Sequence, residues 1–212
     1  MKVIQSYCLA KLHELAVEYV CKYGKEVTTE DGKKTLESEA ICLTTTTPWD
    51  YPMVSEKSAL TSDFAEEYMQ KLVYGYDKNV NFEYDYHSRL FAYRNIINQI
   101  DEYIIPKLIS EPESRRAIAI TWNPETDETM NDCPCLQLIQ CTVRDKKLDI
   151  TAVFRSNDML LAAGQNMYAL VGLQSYIAEK VGVSLGKYTH ISLIPHIYYV
   201  DDADELKKFV KK

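Results

Sequence analysis

Cys135 stands directly after Pro134 at the head of the apolar run Leu136 to Val143, where a stiff backbone can hold a thiolate at the edge of a cleft. A nucleophilic cysteine needs a lowered pKa, which positive neighbours provide; the alternative for this position is a buried structural thiol. The six arginines are Arg89, Arg94, Arg115, Arg116, Arg144 and Arg155, with none in the first 88 residues. Arg115-Arg116 opens one strand-like run and Arg155-Ser156 closes another. Guanidinium forks with a hydroxyl at strand ends suit a phosphate monoester, and surface salt bridges are the alternative. Asn166 interrupts an apolar helix-like run. A buried carboxamide must be satisfied, by a neighbouring strand or by the matching donor and acceptor of an amide-like heterocycle such as uracil. His196 and Tyr198, two apart on a strand, face the same way and suit either a sugar hydroxyl or an aromatic core pair.

Apolar periodicity marks the elements that must position these groups. An amphipathic helix is expected over 3–22, with Val3, Ile4, Leu9, Leu12, Ala16, Tyr19 and Val20 on one side and Gly24 as its stop. A polar turn follows over 25–34, then a threonine-rich strand over 43–47 closed by Pro48. A second helix runs from Thr61 or Ser62 to about Tyr74, ended by Gly75. A third is expected from Leu90 to Leu108, with Ile96, Ile97, Ile100, Ile104 and Leu108 inward and Pro106 as a kink or early end. Past Glu111-Pro112-Glu113 the texture changes to strands over 116–122, 136–143 and 148–154, the last two a hairpin across the four-residue loop Arg144 to Lys147. Residues 159–182 form a helix apolar nearly all round, hence buried. A final strand runs from His190 to Val200, before a short charged tail. With no repeat or low-complexity linker, residues 1–212 read as a single α+β domain, helices packed on a mixed, largely antiparallel sheet.

The whole chain has 212 residues, 24 Lys+Arg against 31 Asp+Glu and a formal charge of -7. That balance argues against a broad hold on nucleic acid polymers or an anionic membrane, and leaves room for a local anion site. No apolar run reaches the ~18 residues of a membrane span, and the N-terminus lacks a signal-peptide pattern, so a cytoplasmic protein is expected. In that setting the six cysteines, Cys8, Cys21, Cys42, Cys133, Cys135 and Cys141, read as free thiols. The C-x-C spacing of Cys133 and Cys135, with only four histidines, argues against a metal site.

As a set, these residues resemble the thymidylate synthase family, which includes pyrimidine hydroxymethylases. The matching pieces are Ser114-Arg115-Arg116 with Trp122-Asn123, Pro134-Cys135 with Gln140, Arg155-Ser156-Asn157-Asp158 followed by Leu161 and Asn166, and His196-Ile197-Tyr198. The resemblance implies conversion of dUMP to dTMP with a methylene-tetrahydropterin, through a covalent adduct of Cys135 at uracil C6. Arg155 and Ser156 would hold the phosphate, with Arg115 and Arg116 reaching the nucleotide of the other subunit in a homodimer with shared sites. Asp158 would lie between pyrimidine and pterin, Asn166 would read O4 and N3, and His196 with Tyr198 the 3'-hydroxyl. A proton-relaying acid should come from the second helix, where Glu66 and Glu67 compete and Glu67 is preferred. A tyrosine that helps remove the C5 proton should be Tyr84 or Tyr86, with Tyr84 the first candidate.

The departures from the family pattern are specific. Leu136 replaces a histidine after the cysteine, Leu193-Ile194 replaces glycine-aspartate before H-x-Y, and Leu161-Ala162-Ala163-Gly164-Gln165-Asn166 alters the cofactor-facing L-G-x-P-F-N segment. The N-terminal phosphate arginine has no counterpart in 25–34, and no long closing segment precedes Lys212. This pattern resembles the short archaeal members, whose one-carbon carrier is tetrahydrofolate or tetrahydromethanopterin. Hydroxymethylation of a pyrimidine nucleotide and non-catalytic nucleotide binding are the competing expectations.

Overall fold

The computed structural model describes residues 1–75 and 84–210, so Lys212 lies outside the described residues. The chain opens with a strand, β1 (Lys2–Gln5), where a helix was expected, and the helix α1 is confined to Leu9–Tyr23. Val3 and Ile4 therefore take opposite faces, Val3 exposed and Ile4 buried. α1 buries Leu9, Leu12, Ala16, Val17 and Val20 and ends where the Gly24 N–H returns to the Val20 carbonyl. The expected polar turn over 25–34 is mostly a hairpin: β2 (Lys25–Thr28) pairs antiparallel with β3 (Lys34–Glu37), with Gly32 at φ 77° in the bend. Its first strand is exposed along its length, so no apolar alternation announced it. β4 (Ile41–Thr45) realises the threonine-rich strand. α2 (Ser62–Tyr74) matches its expected bounds, with the Thr61 hydroxyl accepting the Phe64 N–H and Gly75 at its end.

The helix expected over 90–108 is broken. α3 (Tyr86–Phe91) stops at a turn in which Arg94 and Asn95 have φ 54° and 61° and Tyr93 bridges to Ile97. Ile96 and Ile97 are exposed, contrary to expectation. Tertiary hydrogen bonds impose the break: the Tyr93 hydroxyl donates to the Trp122 carbonyl, and the Gln99 amide donates to the carbonyls of Arg89 and Ile120. The chain resumes as a π-helical turn at Ile100–Ile104 and α4 (Ile105–Ser110), burying Ile100, Ile104 and Leu108 as expected. Pro106 sits in the first turn of α4, where a missing N–H is tolerated.

β5 (Ile118–Ile120) and the short α5 (Pro124–Asp127) precede the hairpin of β6 (Leu136–Arg144) and β7 (Lys147–Phe154). Its loop has two residues rather than four: Arg144 pairs with Lys147, and Asp145 and Lys146 adopt φ 50° and 57°. After β8 (Asn157–Asp158), the buried helix α6 starts at Ala163 and runs to Val181. The last expected strand divides into β9 (Ser184–Ser192) and β10 (Pro195–Ile197), and the charged tail forms α7 (Ala203–Phe209).

The fold is α+β. Six strands form one mixed sheet in the order β1-β4-β9-β7-β6-β5, parallel at β1/β4 and β7/β9, and β2-β3-β10-β8 form a second. Helices α1 and α6 pack on one face of the large sheet, over Ile41, Leu43, Ile139, Ile150, Ala152 and Tyr188. Among the described residues no helix layer covers the opposite face, and cross-strand register aligns one row on it: Val3, Cys42, Ile191, Val153, Leu138 and Ile120.

Candidate active site

A cleft of about 800 Å³ opens where the small sheet meets α2, α6 and the start of β6. It is lined by Cys135, Tyr84, Tyr86, Arg155, Ser156, Asp158, Asn166, His196 and Tyr198. Cys135 sits just before β6, and its carbonyl accepts the Arg155 N–H at 2.8 Å. The Arg155 side chain turns back onto the same segment, Nε donating to the Pro134 carbonyl at 3.1 Å and a terminal nitrogen to the Cys133 carbonyl at 2.8 Å. Burial pushes the Cys135 thiol up, and the Arg155 charge opposes that rise. Tyr84 is pushed up to about 12, first by burial and then by the neighbouring Cys135. The Tyr86 hydroxyl accepts the Leu136 N–H at 3.0 Å, tying this tyrosine pair to the cysteine's strand.

The turn after β7 carries the next three groups. Ser156 Oγ lies 3.1 Å from His196 Nδ1, and the His196 and Tyr198 rings meet edge to face. Asp158 Oδ1 accepts the N–H groups of Leu160 at 2.9 Å and Leu161 at 3.3 Å, while burial raises its carboxyl. Two buried imidazoles hold this turn from behind. His190 Nε2–H donates to the Asn157 carboxamide oxygen at 3.2 Å, which leaves Nδ1 to accept the Tyr188 hydroxyl at 3.0 Å. His13 Nε2–H donates to the Met159 and Leu160 carbonyls at 2.8 and 3.2 Å. On α6, the buried Asn166 accepts the Tyr68 hydroxyl at 3.2 Å.

The family model described as thymidylate synthase matches residues 35–212. The chain belongs to the thymidylate synthase family. Proteins described as "putative thymidylate synthase" share its length: one from Methanocaldococcus jannaschii is 43% identical over 99% of this chain and 96% of its own. One from Methanosarcina barkeri is 33% identical over 99% and 95%, and one from Methanothermobacter thermautotrophicus is 32% identical over 91% and 92%. As in the resemblance drawn from motifs, the relatives are short archaeal members of the thymidylate synthase family.

Within this family member, the cleft collects most of the expected site residues and leaves out three. Glu67 is exposed on the outer side of α2, paired with Lys71, and Glu66 accepts the hydroxyl of Tyr168 and the amide of Gln70. Neither lines the cleft; the α2 residue that does is Tyr68. Helical phase explains this, because Ala65, Tyr68 and Leu72 share the inward side at i, i+3 and i+7. Arg115 and Arg116 are exposed just ahead of β5 and do not line this chain's cleft. Sequence reasoning also missed Asn157 and the hairpin residues Thr28 to Asp31, which line the mouth. The Asp31-Gly32 pair, a turn signal between two short runs, was the available clue.

Arg155 is the one guanidinium among the described lining residues, which also include Glu30, Asp31, Glu37, Asp132 and Asp158. Among the described residues, no group of three or more His, Cys, Asp or Glu is placed to hold a metal ion, and no helix is long and apolar enough to cross a membrane.

Proposed function

We propose that this chain methylates dUMP to dTMP, with Cys135 as the nucleophile. The observation that carries the reading is one cleft uniting Cys135, Arg155, Ser156, Asn166, His196 and Tyr198 from separated parts of the chain. Uracil C5 is a weak nucleophile. Addition of the Cys135 thiolate to C6 pushes the electron pair toward C5 and O4, making C5 able to form a carbon–carbon bond. Asn166 donates to O4 as charge gathers there and accepts from N3–H. Arg155 and Ser156 hold the phosphate, and Arg155 also favours the thiolate. Tyr84, against Cys135, helps move the C5 proton, and His196 with Tyr198 holds the 3'-hydroxyl.

The cleft also fits a reduced pterin, because its lining includes the Asp158 carboxyl and the apolar Ala162 and Ile194. A methylene-tetrahydropterin, when bound, supplies the one-carbon unit and the hydride. Asp158 would hold the polar edge of its ring, and Ala162 and Ile194 would exclude water from its faces.

One guanidinium amid five carboxylates is a poor balance for a phosphate dianion. That supports Arg115 and Arg116 of a second copy completing the site, in a homodimer joined through the uncovered face of the large sheet.

The test is tritium release from dUMP labelled at C5. Exchange is expected without any pterin and is expected to fall at least about 10³-fold in Cys135→Ala. Absence of exchange in wild type, with no dUMP binding, overturns the reading. Product analysis with each methylene-pterin then separates methylation from hydroxymethylation.

A further inference from the structure

We propose that Tyr68 fixes the orientation of the Asn166 carboxamide and thereby selects uracil over cytosine. The inference rests on the dUMP reading, since it concerns the group assigned there to the base. A carboxamide has nearly the same shape in two orientations related by a half-turn, but opposite hydrogen-bonding faces. In one, its oxygen meets N3–H and its amino group meets O4, which fits uracil. In the other, its amino group meets a bare N3 and its oxygen meets an exocyclic amine, which fits cytosine.

The base alone cannot hold one orientation in advance of binding; a neighbour must. Tyr68 is the α2 residue lining the cleft, and its hydroxyl donates to Asn166 Oδ1 at 3.2 Å. A phenol is a better donor than acceptor, and an amide oxygen a better acceptor than a phenol oxygen, so this pairing outweighs its reverse. The bond occupies one of two lone pairs on Oδ1. The second lone pair remains for N3–H, and the amino group remains for O4. The contact belongs to the packing of α2 on α6, in which Met69, next to Tyr68, lies over Gly172, where an added Cβ would stand 2.2 Å from its side-chain Cγ.

The experiment measures protection of Cys135 from iodoacetamide by dUMP and by dCMP, in wild type and in Tyr68→Phe. Phenylalanine keeps the ring and removes only the hydroxyl, and circular dichroism with a thermal melt verifies the fold. Loss of the lock is expected to lower the dUMP/dCMP affinity ratio about tenfold, the scale of one hydrogen bond. An unchanged ratio, or equal weakening of both nucleotides, overturns the proposal while leaving dUMP binding intact. No protection of wild type by dUMP overturns the function reading itself, and the lock with it.

Discussion

Cys135 and Arg155 form one unit, because the guanidinium donates to the Cys133 and Pro134 carbonyls, the Arg155 backbone N–H donates to the Cys135 carbonyl, and the arginine's charge acts on the thiol. Burial raises the thiol and Arg155 counters it. Removing the counter-charge in Arg155→Met is therefore expected to move the thiol to still higher pH. The rate of Cys135 alkylation against pH should show a more alkaline midpoint and a slower rate at pH values below it; an unmoved midpoint refutes the coupling. At this scale the sequence was readable wherever a polar residue broke an apolar pattern, as at Arg155, Asp158 and Asn166. It was unreadable where chemistry and position disagreed. Glu66 and Glu67 have the groups expected of a proton relay, but helical phase turns Tyr68 inward, and one tyrosine among 16 carries no mark of function.

The turn between β7 and α6 is held by His13 and His190, neither of which motif reading singled out. His190 is fully buried and its pKa is pushed down to about 3 by burial, while burial also lowers His13. An unfolded histidine titrates near about 6.5, so between these values the unfolded chain binds a proton that folded His190 refuses. The stabilisation is therefore complete above about pH 6.5 and is lost as pH falls toward 3. Between pH 7 and pH 4 the loss from His190 amounts to about 3 kcal/mol. Urea unfolding across that range should show the decline, with a shallower slope in His190→Gln; equal slopes would refute the neutral buried imidazole. Element boundaries were legible where caps act locally, as with Thr61 and Gly75 around α2. They were not legible where distant groups decide. The break after α3 depends on Tyr93 and Gln99 reaching Trp122, Arg89 and Ile120, which no local pattern records. Arg89 adds a bidentate pair with the fully buried Asp127, fixing α3 and thus Tyr86 against α5.

At the scale of the molecule, the aligned row of Val3, Cys42, Ile191, Val153, Leu138 and Ile120 marks a sheet face with no covering layer among the described residues. A face of this kind fits a second copy across a two-fold axis, with the exposed Arg115 and Arg116 at its edge. Leu138→Arg is expected to convert a dimer into a monomer by light scattering and to abolish turnover, whereas a wild-type monomer refutes the arrangement. Mixing Arg115→Ala with Cys135→Ala should restore about a quarter of wild-type activity, since random pairing gives one intact site in half of the dimers. No recovery from folded variants counts against shared sites. The α+β class was plain from the order of helical and strand-like runs. The division into two sheets was not, because β2, β8 and β10 are too short and polar to show a period.

The strand order has a kinetic consequence. β9 lies between β4 and β7, so the two halves of the large sheet join only through residues 184–192, and the small sheet needs β10 as well. During synthesis the nascent chain carries a complete nucleophile segment well before it carries the strand that unites the sheet. Pairing β4 with β9 also closes a loop of well over a hundred residues, a slow step for a growing chain. The cleft should therefore appear all at once and late, after the ribosome has released β9 and β10. Stalled chains ending before Ser184 are expected to show no nucleotide protection of Cys135.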